Sequence, residues 1–259
     1  MKGLLHYVKF ITLSLFLTAT FMTPFATLAA EKDTITLFLP NTDWPPYLLH
    51  TDNGPRGGLF VEVLEEAAKL LGYEISVKFL PDKRGWMLLD AGEIDAHVKA
   101  KEWVLNPDKY YWTDSFMLSE DVLLYPRESQ LQYTSPEALY GKQIAAVTNF
   151  VYPALEPHFG PEKIIRVDVP YPCTMLDLLD CHRVDAAIVN RAETQWLMRV
   201  RPDLRLERFR MDETPFESAG YRYLFTRKKD WEPFVQDFND ALKKMKQDGW
   251  LKALINKYR

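Results

Sequence analysis

The chain has 259 residues, of which 47% are hydrophobic and 26% are charged, with 11 glycines, 17 prolines, two cysteines and a formal charge of −4. This composition excludes collagen-like, low-complexity, disulfide-stapled and multispan membrane proteins. The mild acidity argues against nucleic acid as a partner, because proteins that grip phosphate backbones carry a basic face.

The first thirty residues have the order of a secretory signal peptide. Lys2 and Lys9 precede an apolar run that begins at Phe10, and small residues end the segment at Ala29 and Ala30. An uncleaved anchor is the alternative, but Pro24 interrupts a stretch that barely reaches the roughly 20 apolar residues needed to span a bilayer. We therefore predict cleavage near Ala30.

The mature chain reads as alternating strands and helices. A strand over residues 34–39 precedes the Pro-rich turn NTDWPPY, helical spacing covers 59–71, and strand alternation resumes over 75–79. A second helix over roughly 86–91 leads to the strand IDAHVKA. This βαβ order predicts a parallel sheet covered by helices, with ligands collecting at the carboxyl ends of its strands.

The same order restarts after Ser135. The predicted elements are a strand GKQIAAVT, a helix near 153–158, a strand KIIRVDV, a helix after Cys173 and a strand VDAAIV. The chain then returns through YRYLFTRK to an amphipathic helix over 231–248 and a short terminal helix. Two successive α/β units are therefore predicted.

Cys173 and Cys181 leave two alternatives open. An exported chain permits a disulfide, but eight helical residues would separate the Cα atoms by about 12 Å, beyond the ~7 Å limit for a bridge. Two buried small apolar side chains are the other interpretation. No histidine accompanies these cysteines at metal-ligand spacing, so we predict neither a zinc site nor another cofactor.

Candidate cations lie in the segment DAHVKAKEW, residues 95–103. If this segment is a strand, His97, Lys99 and Lys101 share one face, which favours an anionic ligand; a solvated edge strand is the alternative. Arg84, in the loop PDKRGW, is a further candidate, because a guanidinium pairs bidentately with carboxylate or phosphate. An exposed loop arginine explains it equally well.

Two loops supply further candidates. Trp44 and Tyr47 could form an apolar platform over a ligand, or simply a packed turn. Thr148 and Asn149 end a strand before a predicted helix, where free backbone N–H groups suit an anion, although helix capping explains the same residues.

Motifs of enzymes are missing from the sequence. It contains no GxSxG, HExxH, P-loop or GxGxxG pattern. Carboxylates such as Glu102, Asp114 and Glu217 could pair in a cleft, but their spacing does not require it, and acidic residues usually lie at the surface. The prediction is therefore a protein without catalytic activity.

A series of segments carries a resemblance to a known family. They are TITLFLPNTDWPPY, GGLFVEVLEEAAKLLGYEI, AGEIDAHV, YYWTDSF, SPEALYGKQIAAV, HRVDAAIVN and the terminal FNDALKKMKQDGWLKALINKY. With them the mature chain resembles the family 3 bacterial extracellular solute-binding proteins, the amino-acid-binding group of type II periplasmic binding proteins. The resemblance implies an α/β fold of two lobes, each a mostly parallel sheet flanked by helices, joined by two crossover strands.

The resemblance also implies domain boundaries and a location. Residues 1–30 would be the signal peptide, residues 31–118 plus 219–259 the first lobe, and residues 119–218 the second lobe. The mature chain would be periplasmic and would close on its ligand by a hinge motion.

Carried over residue by residue, the family's ligand contacts fall on three positions. Trp44 falls where the family has an aromatic residue that stacks on the ligand. Asn106 replaces the arginine that holds an α-carboxylate, and Asn190 replaces the aspartate that holds an α-ammonium. Both charged anchors of a free amino acid are thus neutral amides here, which argues against an ordinary α-amino acid as ligand.

The expected ligand is a small polar or anionic organic molecule. Arg84, Lys99, Lys101 or His97 would compensate for the missing arginine. The expected role is solute capture for an ABC-type uptake system. A sensor for a membrane receptor, or a lyase or dehydratase on the same fold, are the alternatives. A monomer with an ABC permease or a membrane receptor as partner is expected.

Overall fold

The structure is a computed structural model that describes residues 33–49, 57–170, 172–201 and 206–258. The predicted signal peptide lies outside this part of the chain. Within the described residues, no helix combines the length and the apolar character that crossing a membrane would require.

Strands and helices alternate along the chain. The elements up to the middle of the chain are β1 (Thr34–Pro40), α1 (Leu59–Leu71), β2 (Glu74–Leu80), α2 (Asp82–Ala91), β3 (Ala96–Ala100), β4 (Tyr110–Trp112) and β5 (Met117–Pro126). The remaining elements are β6 (Gln143–Val147), β7 (Ile165–Val169), α3 (Pro172–Asp180), β8 (Ala186–Asn190), α4 (Arg191–Val200), β9 (Phe209–Met211), β10 (Glu217–Thr226), α5 (Glu232–Gln247) and α6 (Trp250–Lys257).

Two groups of parallel strands are joined by two long antiparallel strands. The strand order is β2-β1-β3-β10-β5-β8-β6-β7, with β4 beside β10 and β9 beside β5. β1 runs parallel to β2 and β3, and β6 runs parallel to β7 and β8. β10 and β5 pair antiparallel with each other, and each also pairs with one parallel group. The sheet is therefore mixed at its centre, where the βαβ pattern predicts only parallel strands.

Helix α1 shows how sequence pattern becomes packing. Its buried residues recur at helical spacing and face the helix α5, whose own stripe includes Phe238 and Leu242. Gly72 ends α1 in the left-handed conformation at φ 83°, which glycine adopts without a Cβ penalty. The predicted helix over residues 59–71 is thus confirmed.

The buried apolar residues form separate cores on the two sides of the sheet's centre. One side holds a large core that includes Leu37, Val98 and Phe238 and a smaller one around Phe38. The other side holds two cores, around Ile188 and around Leu179. The strand β5 contributes Met117 to the first side and Leu123 and Leu124 to the other, whereas Tyr221 and Tyr223 of β10 lie in the large core of the first side. The middle of β5 therefore lies where the two sets of cores meet.

Three predicted elements differ from the structure. Helix α2 begins at Asp82, about one turn before the predicted start. The helix predicted near 153–158 is only a 3₁₀ turn, Glu156–His158, because Pro153 and Pro157 restrict the residues that precede them. The strand predicted to run through Lys101 ends at Ala100, and Lys101–Trp103 form another 3₁₀ turn.

The cysteine alternatives are only partly resolved. Cys181 is an exposed, free thiol that follows the last residue of α3. It is therefore neither bridged nor one of two buried apolar side chains. The side chain of Cys173 lies outside the described residues.

Candidate functional site

The loop after β1 reaches the carboxyl end of β8 through one tyrosine. The hydroxyl of Tyr47 donates a hydrogen bond to Oδ1 of Asn190 at 2.8 Å, across 143 residues of sequence. The amide of Asn190 in turn donates to Oγ of Ser119 on β5 at 3.0 Å. Tyr47 is fully buried. Three separate parts of the chain therefore meet around Asn190.

Asn190 also starts the helix α4. Its Oδ1 accepts the backbone N–H of Glu193 at 3.1 Å, and its carbonyl accepts the hydroxyl of Thr194 at 2.8 Å. This N-cap fixes the first turn of α4 and so positions the side chain of Glu193. One asparagine thus couples a helix start to the Tyr47 contact.

Aromatic rings enclose this meeting point. We call Trp44, Tyr47, Phe60, Trp103 and Tyr221 the aromatic cluster. The ring of Tyr221 lies 5.1 Å from that of Tyr47, 5.8 Å from Trp44 and 5.7 Å from Trp103, between ring centroids. Phe60 stacks on Tyr47 at 5.2 Å. These separations lie in the range of favourable aromatic pairs.

A row of polar residues crosses three neighbouring strands beside the aromatic cluster. Asp121 on β5 stands directly opposite Glu217 on β10 and directly opposite Asn190 on β8. Opposite residues in an antiparallel pair share one face, with Cβ atoms about 5 Å apart. We call Asp121, Glu193 and Glu217 the carboxylate cluster.

Burial raises the pKa of all three carboxyl groups. Burial and the charge of Glu217 raise the pKa of Asp121 to about 7. Burial and the charge of Asp121 raise the pKa of Glu193 to about 7, although the indole of Trp44 donates a hydrogen bond to it and opposes the shift. Burial and the charge of Glu156 raise the pKa of Glu217, against a hydrogen bond from the Ala154 N–H. Near neutral pH this part of the molecule can therefore bind or release protons.

The structure brings together three of the predicted site residues, Trp44, Tyr47 and Asn190. Tyr47 connects the other two, because its ring lies 5.0 Å from Trp44 and its hydroxyl binds Asn190. Both interpretations of this loop fit the structure. The rings of Trp44 and Tyr47 pack on one another, as in a packed turn, and they also border the carboxylate cluster, as a platform beside a ligand would.

His97 lies elsewhere, and the expectation of a cationic face on β3 is not met. Its ring stacks on Phe38 at 3.9 Å, its Nδ1 lies 3.0 Å from the Phe38 carbonyl oxygen, and it is 4% exposed. Burial lowers its pKa to about 3, so the ring is neutral at pH 7. His97 is an interior side chain and not a cation that faces a ligand.

Lys99 and Lys101 do not form a cationic face on β3 either. Burial lowers the pKa of Lys99, while the charge of Asp82 on α2 opposes this. Lys101 is exposed, because the strand ends at Ala100 and the chain turns. The alternation that predicts three cations on one side therefore fails at its last residue.

The other predicted residues lie at the surface. Arg84 is exposed in the first turn of α2, and Asn106 is exposed before a short 3₁₀ turn. Thr148 and Asn149 are exposed as well, and no α-helix follows them. The Thr148 N–H, expected to be free for an anion, donates to the Val169 carbonyl at 2.8 Å. Among the described contacts, none joins these four residues to Asn190.

Sequence reasoning missed Ser119, Asp121, Glu193 and Tyr221. The spacing of Asn190 and Glu193 matches a helix start, so this signal could have placed Glu193 at the end of β8. Ser119, Asp121 and Tyr221 carry no such local signal, because they sit on strands whose neighbours come from distant parts of the chain.

The Tyr47 hydrogen bond gives a first prediction. Tyr47→Phe should lower the free energy of unfolding by about 1 kcal/mol, because Asn190 Oδ1 loses a buried donor while the ring packing remains. Urea unfolding measures the difference. Tyr73→Phe is the matched control, since Tyr73 is half-buried and makes ring contacts but no described hydrogen bond through its hydroxyl. Equal stability of the two variants would contradict the importance of the Tyr47 contact.

Comparison with known proteins gives a consistent result. The family model for bacterial extracellular solute-binding proteins, family 3, matches residues 38–259. The L-cystine-binding protein TcyJ of Escherichia coli (strain K12) is 26% identical over 238 residues, which cover 88% of this chain and 83% of that protein.

Two solved structures share the fold. One is the L-cystine solute receptor of Neisseria gonorrhoeae in an unliganded open conformation, with a TM-score of 0.68, 20% identity and coverage of 88% of this chain and 93% of the other. The second is the amino acid ABC transporter substrate-binding protein AbpA of Streptococcus pneumoniae bound to L-arginine, with a TM-score of 0.63, 16% identity and coverage of 87% and 94%. The chain has the type II periplasmic-binding-protein fold that these neighbours represent.

Proposed function

Because this chain belongs to the family 3 bacterial extracellular solute-binding proteins, we propose that it captures a small polar organic solute between two lobes and delivers it to an ABC-type permease. Its relatives are binding proteins and not enzymes. The function of AbpA as the substrate-binding protein of an ABC transporter supports delivery to a permease.

The proposed lobes are residues 31–118 plus 219–259 and residues 119–218. The separate sets of apolar cores support this division, as does the change of partners along β5 and β10. Residues 117–121 of β5 pair with β10, and residues 121–124 pair with β8. The hinge would lie in this part of β5 and in the facing residues of β10.

The hydrogen bond between Tyr47 and Asn190 is the observation that carries the proposal. It joins the proposed first lobe to the proposed second lobe, directly beside the aromatic and carboxylate clusters. A hinge motion that opened the lobes would break this bond and expose both clusters to a solute.

The ligand is proposed to differ from an ordinary α-amino acid. Asn190, at the position of the family's ammonium-binding aspartate, has its amide engaged by Tyr47, Ser119 and the N–H of Glu193. Asn106, at the position of the carboxylate-binding arginine, is exposed and neutral. The anionic ligand that the sequence favours gains no support here, because Asp121, which faces Asn190, is a carboxylate and the adjacent Arg191 is already paired with Glu120.

Export to the periplasm completes the proposal. The family is extracellular, and the first thirty residues have the order of a cleaved signal peptide, with cleavage proposed near Ala30.

A binding screen tests the function. Purified protein would be heated with amino acids, dicarboxylates, sugar acids, amines and short peptides, and each hit confirmed by calorimetry and small-angle scattering. We expect one class to raise the melting temperature, bind one to one and reduce the radius of gyration, since a ligand of the folded state stabilises it. Turnover of the bound compound would contradict a pure binding role, and no hit from any class would contradict solute capture.

A further inference from the structure

We propose that the solute carries a positively charged nitrogen, which Asp121 and Glu193 neutralise inside the aromatic cluster. This inference rests on the proposed function, since it assumes that the solute enters beside Asn190. It assigns a ligand class, a small organic cation, that the residues predicted from sequence do not indicate.

The arrangement of charge at this place favours a cation. Asp121, Glu193 and Glu217 come from three different elements, β5, α4 and β10, and the fold places Asp121 directly across the strand from Glu217. Carboxylates directly opposite one another destabilise a sheet. No basic side chain acts on the pKa of Asp121 or Glu193 in the described part of the chain. Arg191, next to Asn190, pairs with Glu120 at 2.9 Å and not with these half-buried carboxylates, which therefore lack a counter-charge within the described residues.

The Tyr221 hydroxyl is a second feature that favours a cation. Tyr221 is fully buried, and within the described residues its hydroxyl makes no hydrogen bond of acceptable geometry, although Ser119 lies close to it. Burial, with the charges of Asp121 and Glu193 adding to it, raises the pKa of the Tyr221 hydroxyl, so both carboxyls lie within electrostatic reach of it. Buried polar groups are nearly always satisfied, and an N–H group of a solute would satisfy the Tyr221 oxygen.

The aromatic surface beside the carboxylates also favours a cation. Three rings of the aromatic cluster, Trp44, Tyr47 and Tyr221, lie within 6 Å of one another beside the carboxylates. Aromatic faces attract ammonium and guanidinium groups through the ring quadrupole and would repel an anion. The Trp44 indole holds Glu193 by a hydrogen bond and so connects the ring surface to a carboxylate.

An inorganic cation fits this place less well than an organic one. No group of three or more Asp, Glu, His or Cys side chains in the described residues is arranged to hold a metal ion. A protonated amine needs only one or two acceptors and a ring surface, which Asp121, Glu193 and Tyr221 provide.

Three probes of similar length separate the ligand classes. Cadaverine carries two amines on a five-carbon chain, L-lysine adds one carboxylate to the same skeleton, and glutarate is a five-carbon chain whose two ends are carboxylates. Calorimetry at pH 7.5 should detect binding of cadaverine, weaker binding of L-lysine, because its α-carboxylate would face the carboxylate cluster, and none of glutarate. Binding of glutarate, or no binding of cadaverine at millimolar concentration, would overturn the inference.

Two variants test the assigned residues. Glu193→Gln keeps an oxygen acceptor for Trp44 but loses the charge, and it should weaken binding of the cation at least tenfold. Glu74→Gln, which changes an exposed carboxylate on β2, should leave the affinity unchanged. Asp121→Asn is a second variant should Glu193→Gln fold poorly, and unchanged affinity in a folded variant would remove that carboxylate from the site.

The outcomes distinguish this inference from the proposed function. If the wider screen finds a neutral or anionic solute that closes the protein, solute capture stands and the cationic ligand is wrong. If no solute of any charge binds, both proposals fail.

Discussion

Ligand-free protein with Asp121→Asn and Glu193→Gln together is expected to be more stable than the parent protein at pH 8, by about 2 kcal/mol or roughly 4–8 °C in melting temperature. The pKa of Asp121 rises from 3.8 to about 7 on folding, and that of Glu193 rises from 4.5 to about 7. Above pH 7 the folded protein must hold both carboxyls in the charged form that burial disfavours. Neutral amides remove this cost at every pH.

The sign of the pH dependence follows from proton binding. At pH values between the ordinary and the raised pKa values of these two carboxyls, the folded chain binds more protons than the unfolded chain. The stability of the folded chain therefore falls as the pH rises through this range. The contribution of these two groups is greatest below about pH 4.5 and is lost as the pH passes 7. The advantage of the double variant should therefore be large at pH 8 and small near pH 5.

The charged groups that act on the two carboxyls raise their pKa values, and the hydrogen bond from the Trp44 indole to Glu193 opposes this. Asp121 faces Glu217 and Glu193, and the hydroxyls that its charge reaches belong to Tyr47, Tyr152 and Tyr221. Glu193 faces the Trp44 indole as well. Because these neighbours are acidic or uncharged, the raised pKa values have no basic group to offset them.

Thermal melts from pH 5 to pH 8 measure the effect. The control is Glu74→Gln, which removes an exposed charge and should follow the parent protein at each pH. A double variant that gains nothing at pH 8, or gains the same amount at pH 5, would show that these carboxyls are not desolvated as described.

Gly58→Ala is expected to lower the free energy of unfolding by about 3 kcal/mol or more. Gly58 precedes α1 with φ 112° and ψ 167°, a backbone region that other residues rarely adopt. A Cβ at this position would lie 2.5 Å from the Tyr47 carbonyl oxygen and 3.0 Å from Cα of Leu48, both in the backbone. The loop that carries Tyr47 would have to move.

Gly57→Ala is the matched control for this prediction. A Cβ at Gly57 would meet nothing within 4 Å, and its φ is not positive. Urea unfolding of the two variants should separate them clearly, and Gly58→Ala should also weaken binding of any solute, since it displaces Tyr47. Equal stability of Gly57→Ala and Gly58→Ala would contradict the close approach of Tyr47 to α1.

The two predictions concern groups that have opposite effects on the stability of the fold. Gly58 lets the Tyr47 loop pack closely, which stabilises the fold, whereas Asp121 and Glu193 weaken it at neutral pH. Destabilising groups persist in proteins mainly at sites that serve function. A cation bound between them would remove the cost, because it favours the charged form of both carboxyls.

Local sequence patterns determined most of the elements. The helices α1 and α5 and the strands β1, β2 and β8 follow from periodic apolar residues and from end signals such as Gly72. The family resemblance added the fold, which the solved structures confirm. Patterns failed where proline limits a helix, as between Pro153 and Pro157, and where a strand ends early, as at Ala100.

The site depended on tertiary structure. Sequence reasoning selected Trp44, Tyr47 and Asn190, which the structure brings together, but it also selected His97, which packs against Phe38 in the interior. Alternation along a strand gives the face on which a side chain lies, but not what covers that face. The sequence cannot place Asp121 between Glu217 and Asn190, because that neighbourhood exists only once β5 lies between β10 and β8.

The sequence by itself thus determined the elements, the family and the aromatic loop, because each depends on residues close together in the chain. Only the tertiary structure decided the charge of the site. The pKa of a carboxyl depends on its burial and on the charges beside it, and residues 121, 193 and 217 acquire both from packing between distant segments.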